Sequence, residues 1–272
     1  MSFYMEHAKK NIWYGRFSSF PQNLVTHAIS TRFGGVSQAP FTSMNLALHD
    51  GDDERNVIEN RKIFCDSLGI ESNCLCTCEQ VHGERILCVD ETFSGRGSMA
   101  YADAIAGTDA LITNVMNLPL MLFFADCTPL LFFDPVHKAV GIAHGGWRGT
   151  IAKIVQKTVL LMQERFGTKP EDCLVAIGPA IGPCCYEVGN EVAEKFQKVF
   201  PQHKDKILLS VKGNIHLNLW LTNQLQLEDI GVKRDHIDSA DVCTACNSKL
   251  FYSYRIEKGK TGRIAALISL KK

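Results

Sequence analysis

The sequence carries no excess of charge of either sign, because lysine plus arginine and aspartate plus glutamate each number 29 in a chain of 272 residues. A general nucleic-acid binder, or a protein held on an anionic membrane, needs a net positive field that a balanced chain does not supply. A local basic pocket is still compatible with this balance. We therefore expect no nucleic acid and no membrane among the partners.

Long hydrophobic runs are also missing. No stretch reaches the roughly 18 apolar residues that a membrane-spanning helix needs, and the start, MSFYMEHAKKNIWYG, lacks the basic-then-apolar order of a signal peptide. We therefore expect a cytoplasmic protein. In that reducing compartment the 11 cysteines are thiols, metal ligands or catalytic groups rather than a disulfide framework, and their odd number agrees with this.

No internal repeat, low-complexity tract or Pro/Gly/Ser-rich linker divides the chain. The hydrophobic share of 46% and the charged share of 21% are ordinary for a soluble globular protein. The length allows a substantial core. We therefore expect residues 1–272 to form a single domain.

Apolar periodicity predicts a mixed arrangement of strands and helices. The closely spaced runs DALITN, LPLMLFFA, PLLFFD and AVGIAH are apolar on both faces, which indicates central strands covered on both sides. Because strands and helices alternate only in part, we expect an α+β or α/β fold with helices outside. Further strands are predicted within 24–31, 74–81, 85–90, 173–182 and 263–270, and helices within 52–69, 149–167, 187–200 and 215–231.

Three segments place a metal-ligating side chain at the end of a strand. They are EQVHGE with His82, FFADCTPLL with Cys127, and GIAHGGWRG with His144. The 17 positions from Cys127 to His144 suit a strand, a turn and a return strand, so adjacent strands can bring both side chains to one rim. Two histidines and a cysteine are the ligand set of a zinc site with an open fourth position.

The same residues allow two other interpretations. Cys127 can act as a nucleophile with His144 as its base, which requires the same proximity. Alternatively, His82 and His144 are ordinary loop histidines and Cys127 is a small buried residue. Spacing in the sequence does not separate these hypotheses.

Basic side chains next to glycine turns suggest contacts to an anion. Gly145–Gly146 let the backbone approach a ligand closely, and a helix is expected to start near Gly149–Thr150, beside Trp147 and Arg148. Free amides at a helix start together with an arginine suit phosphate. Arg32, in STRFGGVS, is a second candidate for phosphate or substrate contact. Alternatively, Trp147 belongs to the core, Arg148 pairs with an acid, and Arg32 is merely part of a turn.

The other cysteines show no complete metal motif. Cysteines alternate over residues 74–78, CTAC spans 243–246, and an adjacent pair occupies 184–185. The single CxxC is half of a zinc-ribbon pattern, and no second CxxC accompanies it. Because a free cysteine packs well as a small hydrophobe, we favour reduced structural thiols over a second metal site.

Eight ordered segments carry a resemblance to a known family. They are STRFGGVS, MNLALHDGDD, QVHGE, ADCTPLL, AHGGWRGT, GPAIGPCCYEVG, CTAC with FYSYR, and TGR, and they span nearly the whole chain, from about Ala28 to Ile268. In this order they resemble the bacterial family once called multicopper polyphenol oxidases or laccase-domain proteins. That family is now described as zinc-dependent purine nucleoside phosphorylases with adenosine deaminase activity, and some of its members as peptidoglycan editing factors.

The resemblance implies a metal, its ligands and a fold. The family's ligands are the histidine of QVHG, the cysteine of ADC and the histidine of AHxGWRG, which correspond to His82, Cys127 and His144. The alanine usual after the last histidine is Gly145 here, which only makes the turn more permissive. The implied fold is a single α+β (mixed α/β) domain of two packed mixed β-sheets flanked by helices.

The oxidase name can be tested against the histidine content. A multicopper oxidase needs about ten histidines, many of them in His-x-His pairs, to hold its copper ions. This chain has 9 histidines and no His-x-His pair. The sequence therefore argues against a laccase of that architecture.

The resemblance, supported by the residues, implies a zinc-dependent purine nucleoside phosphorylase that also deaminates adenosine. Its substrates would be phosphate and adenosine, inosine, guanosine or methylthioadenosine. His82, Cys127 and His144 are expected to bind zinc and to form the catalytic centre. Asp126 and Glu79 lie near them in the sequence as candidate proton shuttles, and nothing in the sequence selects one of the two.

Three other functions stay open at this stage. One is a cysteine hydrolase that uses Cys127, and another is an enzyme that edits peptidoglycan precursors. The third is a zinc-binding partner protein without catalytic activity. The sequence leaves the oligomeric state undetermined.

Overall fold

Two stacked β-sheets carry the fold in the computed structural model, which describes residues 3–8 and 11–272. The strands of these residues are β1 Phe3–Ala8, β2 Ile12–Phe17, β3 Val25–Ser30, β4 Ile86–Cys88, β5 Ala110–Thr113, β6 Leu120–Phe124, β7 Thr128–Asp134, β8 Ala139–Gly145, β9 Leu174–Ile177, β10 Leu208–Val211, β11 Asn214–Leu217, β12 Ile237–Ser239 and β13 Ile264–Leu270. The α-helices are α1 Glu54–Leu68, α2 Trp147–Ile151, α3 Ile154–Phe166, α4 Asn190–Val199, α5 Lys204–Ile207 and α6 Leu219–Asp229.

The two sheets differ in the direction of their strands. One has five strands in the order β1-β2-β3-β13-β6, and its neighbours pair antiparallel. The other has six strands in the order β12-β9-β7-β8-β5-β4, with antiparallel pairs in the centre and a parallel pair at each edge. Strands β10 and β11 form a separate hairpin.

The core between the sheets explains why the central strands are apolar on both faces. In β6, Leu122 and Phe124 point into the core between the sheets, while Met121 and Phe123 pack on the opposite side, toward α1. This alternation follows from the two-residue period of a strand. A strand covered on both sides must be apolar at every position, as LMLFF is.

Helices cover the outer face of each sheet. Helix α1 packs Phe64 against the five-stranded sheet, while α3 and α6 cover the six-stranded sheet with residues such as Val159 and Leu227. The Asp53 side chain caps the start of α1, and Gly69, with a φ of 69°, ends it. The result is a mixed α+β single domain of four layers, helix, sheet, sheet and helix, which confirms the predicted fold.

Two predicted helices are interrupted in the structure. The stretch 149–167 divides into α2 and α3, because Lys153 adopts a left-handed φ of 62° between them. The stretch 215–231 begins as strand β11 and becomes helical only after the cap residue Asn218. Hydrophobic periodicity does not show these breaks, since the apolar positions continue through both of them.

Other differences concern short elements. The segment 74–81 is not a regular strand but makes isolated bridges at Cys76 and Cys78. Several elements were not predicted because each is short or only partly apolar: the hairpins β1–β2 and β10–β11, strand β12 and helix α5. Among the helices of the described residues, none combines the length and apolar character required to cross a bilayer.

His27 makes the fold sensitive to acid. It is fully buried, its ring lies 4.9 Å from that of Phe20, and its Nε2 accepts a hydrogen bond of 2.8 Å from the backbone N–H of Phe17. Burial lowers the pKa of His27 to about 3, and the charge of Arg16 acts in the same direction. The unfolded chain therefore binds a proton at mildly acidic pH that the folded chain excludes.

We expect the free energy of unfolding to fall by about 2 kcal/mol between pH 7 and pH 5 because of His27. This stability is present above the ordinary histidine pKa and is lost as the pH falls toward the folded value. Urea unfolding at both pH values would show a smaller difference in His27→Gln than in the parent. The exposed His7→Gln serves as control. Equal pH dependence in the parent and His27→Gln would contradict the assignment.

Candidate metal centre

The β7–β8 hairpin brings Cys127 and His144 together. In the antiparallel register Thr128 pairs with Gly145 and Pro129 with His144, so Cys127, directly before β7, lies opposite the end of β8. His82 joins them from the loop before β4. The donor atoms of His82, Cys127 and His144 all lie within 4.8 Å of one another.

His82 is positioned by its backbone. It adopts a left-handed φ of 59°, which is uncommon for a residue other than glycine. The N–H groups of Val81, His82 and Gly83 all donate to the Asp109 carboxylate, at 3.2, 3.0 and 2.7 Å. These three hydrogen bonds hold the loop in the conformation that directs His82 toward the other two donors.

The same carboxylate orients His144. Asp109 Oδ1 lies 2.9 Å from His144 Nδ1, and both side chains are buried. Burial alone would raise the pKa of Asp109, but hydrogen bonds from His144, Gly83 and Val81 outweigh it and lower that pKa. With Nδ1 engaged, His144 presents Nε2 to the centre, as in the carboxylate–histidine pairs that support metal ligands.

Gly146 leaves room for the three donors. A Cβ at this position would lie 3.1 Å from Cys127 Sγ and 3.2 Å from His82 Cδ2. The φ of Gly146 is −70°, which any residue adopts, so the requirement for glycine is one of space. The glycine after the strand therefore allows the chain to pass directly beside the donor cluster.

Cys127 and His144 polarise each other. Burial would raise the pKa of the Cys127 thiol, but His144 and His82 lower it to about 6. Burial would lower the pKa of His144, but Cys127 and Asp109 raise it to about 9. The geometry thus favours a thiolate, which is the form of cysteine that binds metals and attacks electrophiles.

The donor set fits one metal ion. Zinc–sulfur and zinc–nitrogen bonds of about 2.3 and 2.0 Å place their donors roughly 3.5 Å apart in a tetrahedron, which lies within the observed 4.8 Å limit. His144 is buried, Cys127 half-buried and His82 exposed, so the centre opens on the His82 side. Across residues 3–8 and 11–272, one other group has metal-site dimensions, and it contains only cysteines. This arrangement does not provide the several histidine clusters of a multicopper oxidase.

The two candidate proton shuttles have other partners. Asp126 has a left-handed φ of 81°, and its carboxylate accepts hydrogen bonds from Thr244 Oγ1, Ser253 Oγ and the backbone N–H of Arg255. Glu79 accepts from the backbone N–H of Gly107. Asp126 thus anchors two loops beside the centre, and both carboxylates already serve the structure.

A cavity of about 460 Å³ opens from the metal centre. This volume lies in the range of small-molecule sites. Aromatic, cationic and metal-ligating side chains share its wall: His49, Gln80, His82, Phe123, Ala125, Asp126, Cys127, His144, Trp147, Arg148, Ile181, Tyr186, Leu219, Tyr254, Arg255 and Arg263.

Three arginines give the cavity a positive wall. Arg148 is exposed, and its guanidinium lies 4.5 Å from the centre of the Trp147 ring. Arg255 and Arg263 donate to backbone carbonyls. Within the described part of the chain, none of the three forms a salt bridge to a carboxylate. Their charges are therefore available to an anion.

Arg32 lies outside this cavity. Its guanidinium pairs with Glu257 at 3.0 Å and donates to the carbonyls of Ser248 and Thr42, and it stacks 4.6 Å from the Tyr252 ring centre. These contacts tie together distant segments of the chain, and the structure does not bring Arg32 to the cavity beside the metal centre. The helix start is corrected as well, since α2 begins at Trp147 and has only five residues.

Several residues of the site were not predicted from the sequence. Asp109 was visible as the acid that begins the predicted buried strand DALITN, where a charge needs a partner. Arg255 and Arg263 lie in the segments FYSYR and TGR, which carried the family resemblance without a role. Tyr186 and Tyr254 line the cavity, and apart from their aromatic character nothing in the sequence pointed to them.

Comparisons with known proteins find related sequences and a related fold. The model of a family described as multi-copper polyphenol oxidoreductase laccase matches residues 26–271. A Geobacillus stearothermophilus protein named purine nucleoside phosphorylase YlmD is 40% identical over 241 residues, which are 88% of either chain. Purine nucleoside phosphorylase YfiH of Escherichia coli is 37% identical over 248 residues, 89% of this chain and 92% of the relative. The crystal structure of Bacillus licheniformis hypothetical protein YfiH superposes with a TM-score of 0.92 at 38% identity, covering 98% of this chain and 99% of that one.

We expect Asp109→Asn to weaken metal binding about 10- to 100-fold, because the amide holds the His82 loop and the His144 ring less well. Competition with a chromophoric chelator measures this affinity. Asp134→Asn is a matched control, since Asp134 is also buried and accepts from His137 Nδ1 at 2.9 Å far from the centre. Unchanged affinity in Asp109→Asn, or equal loss in both variants, would count against the role assigned to Asp109.

Gly146→Ala should also lower metal affinity, because the added methyl group meets Cys127 Sγ and His82 at 3.1–3.2 Å. Gly189→Ala is the control, since a Cβ there meets nothing within 4 Å. The same chelator competition applies, with circular dichroism to confirm folding. Equal metal affinity in Gly146→Ala and Gly189→Ala would show that the space beside Gly146 does not matter for metal binding.

Proposed function

We propose that this chain, which belongs to the family described as multi-copper polyphenol oxidoreductase laccase, is a zinc-dependent purine nucleoside phosphorylase. Two proteins to which it is similar carry the name purine nucleoside phosphorylase. The observation that carries the proposal is one cavity that joins a His82–Cys127–His144 donor cluster to several aromatic rings and to three arginines, none of which forms a salt bridge within the described residues. A nucleoside and phosphate need these three surfaces together.

The reaction sets the demands on the site. A phosphate oxygen forms a bond to C1′ of the ribose while the bond from C1′ to the purine nitrogen breaks. The purine leaves with the bonding electrons and takes up a proton. The protein must therefore hold an anion beside the sugar, bind the base, and keep bulk water from competing with phosphate.

Arg148, Arg255 and Arg263 are suited to hold the phosphate. Guanidinium groups bind phosphate with paired, charge-assisted hydrogen bonds. Arg255 and Arg263 are oriented by hydrogen bonds to backbone carbonyls, whereas Arg148 rests on the Trp147 ring. Three cations on one wall can thus bind the anion together.

Aromatic side chains offer surfaces for the purine and the ribose. Phe123, Trp147, Tyr186 and Tyr254 all line the cavity, and stacking on such rings suits any purine, because every base has a π-face. Burial raises the pKa of Tyr186, so its hydroxyl stays protonated and can donate. This composition agrees with a range of purine nucleosides, including adenosine, inosine, guanosine and methylthioadenosine.

His49 supplies a neutral polar group to the same cavity. The His49 side chain is partly open to solvent; partial desolvation in the cavity wall lowers its pKa to about 4, and the charges of Arg263 and Arg61 act in the same direction. An uncharged imidazole donates from one ring nitrogen and accepts at the other. His49 is therefore suited to orient a hydroxyl or an amino group of the substrate.

Zinc is the metal that we assign to the donor cluster. A tetrahedral ion with two imidazole ligands and one thiolate keeps a position for substrate or solvent, and it would supply Lewis acidity at the end of the cavity. His82, Cys127 and His144 would hold it, with Asp109 orienting His144. The adenosine deaminase activity that we include in the proposal requires the same Lewis acid and no phosphate.

The direct test is chromatography of adenosine incubated with zinc-loaded protein, with and without phosphate. We expect adenine only when phosphate is present, and inosine in both conditions. Cys127→Ala should abolish both products because it removes a metal ligand. No product under any condition would refute adenosine as a substrate. Products that survive complete removal of zinc but disappear on thiol alkylation would instead support a cysteine hydrolase.

The phosphate contact has its own prediction. Arg148→Gln should raise the KM for phosphate about 10- to 100-fold, because it removes about one charge-assisted hydrogen bond to the anion. The rate of phosphate-independent inosine formation should stay close to that of the parent. Arg165→Gln, an exposed arginine on α3, is the control. An unchanged KM for phosphate in Arg148→Gln would remove Arg148 from the anion site.

A further inference from the structure

Four cysteines that are distant in sequence form a second cluster. The Sγ atoms of Cys184, Cys185, Cys243 and Cys246 all lie within 4.8 Å of one another. Cys246 is 3.5 Å from Cys184 and 3.4 Å from Cys185. None of the four lines the cavity described above. We propose that these four cysteines form a tetrathiolate zinc site that stabilises the wall of the substrate cavity.

The distances between the sulfur atoms distinguish this site from other cysteine chemistry. Four zinc–sulfur bonds of about 2.3 Å place the sulfurs about 3.8 Å apart in a tetrahedron, close to the 3.4 and 3.5 Å separations observed. A disulfide requires about 2.05 Å. An iron–sulfur cube binds each cysteine to a different iron, so its cysteine sulfurs lie much farther apart than those of a single-metal site. The spacing therefore suits one tetrahedral ion.

Backbone amides already point at one of the sulfurs. Cys243 Sγ accepts from the N–H of Gly182 at 3.2 Å and from the N–H of Cys246 at 3.5 Å. Such N–H···S hydrogen bonds stabilise the negative charge of a thiolate, which a metal ligand must carry. Gly182 has to be small here, since a Cβ on it would lie 3.1 Å from the Cβ of Cys243 and 2.6 Å from the Trp220 ring.

The tertiary fold supplies what the sequence motif lacks. CTAC at 243–246 has no second CxxC, and for that reason we favoured structural thiols. A bridge between Ala180 and Cys243 aligns the loop after β9 with the CTAC turn. This alignment places the adjacent pair Cys184–Cys185 where the second half of a ligand set is needed.

The position of the cluster indicates its effect. The loop of Cys184 and Cys185 continues into Tyr186, which lines the cavity. Thr244, between the other two cysteines, donates to Asp126 Oδ1 at 2.6 Å, directly beside Cys127. A metal at the cluster would thus join the two loops that support the cavity wall and the first metal centre.

Metal analysis of the full-length chain tests the proposal and does not depend on any enzymatic activity. The protein is loaded with zinc under reducing conditions, freed of excess metal by gel filtration and measured by inductively coupled plasma mass spectrometry. We expect about two zinc ions per chain in the parent. Cys246→Ser and His82→Ala should each retain about one, and the double variant none. Cys74→Ser, which changes a half-buried cysteine outside both groups, should retain two.

Cobalt identifies the ligands of the second ion. In His82→Ala, cobalt should occupy the four-cysteine cluster and give the intense thiolate-to-metal absorption of an all-sulfur tetrahedral site. Adding Cys184→Ser should reduce this absorption even if Cys246→Ser fails to fold. One zinc in the parent that His82→Ala removes entirely would overturn the proposal. A disulfide among the four cysteines in freshly purified protein would overturn it too.

Discussion

The hydrogen bonds of the Asp109 carboxylate are the interactions on which the geometry of the His82–Cys127–His144 cluster depends. The carboxylate accepts hydrogen bonds from three consecutive amides of the His82 loop and lies within hydrogen-bond distance of the His144 ring. A buried charge without partners costs several kcal/mol, so this carboxylate is stable only if those donors stay in place. The loop and the end of β8 are therefore coupled through one side chain. The position of each histidine therefore depends on Asp109 as well as on its own segment.

The stacking of the two sheets determines where this centre can lie. The chain leaves the five-stranded sheet at Phe124, the end of β6, and enters the six-stranded sheet at Thr128, the start of β7. Asp126 and Cys127 occupy this short crossing. Its geometry requires the left-handed backbone of Asp126, which three side-chain hydrogen bonds stabilise. The metal centre thus sits at a rim where the backbone is already held in place by the fold.

The cavity shows how one fold supplies chemically different surfaces. Its metal-ligating side comes from the loop of His82 and the β7–β8 hairpin. Its cations come from α2 and from the chain after Ser253, and part of its aromatic surface from the loop of Tyr186. Two of these segments are tied together by Arg255, whose guanidinium donates to the carbonyls of Cys185 and Glu187. The four cysteines lie where the loop of Cys184 and Cys185 meets the CTAC turn.

The sequence by itself determined the main strands, the covering helices and the three donors of the first centre. Local patterns were sufficient because apolar runs specify buried strands, and because a hairpin of fixed length brings Cys127 to His144. Only the tertiary structure decided that Asp109 holds both histidines, that Arg32 faces Glu257 rather than the cavity, and that Arg255 and Arg263 complete the cationic wall. It also decided that Cys184 and Cys185 meet Cys243 and Cys246 across about 60 positions of chain. Partners that far apart leave no periodicity in the sequence, since the packing of the sheets and loops alone determines which of them meet.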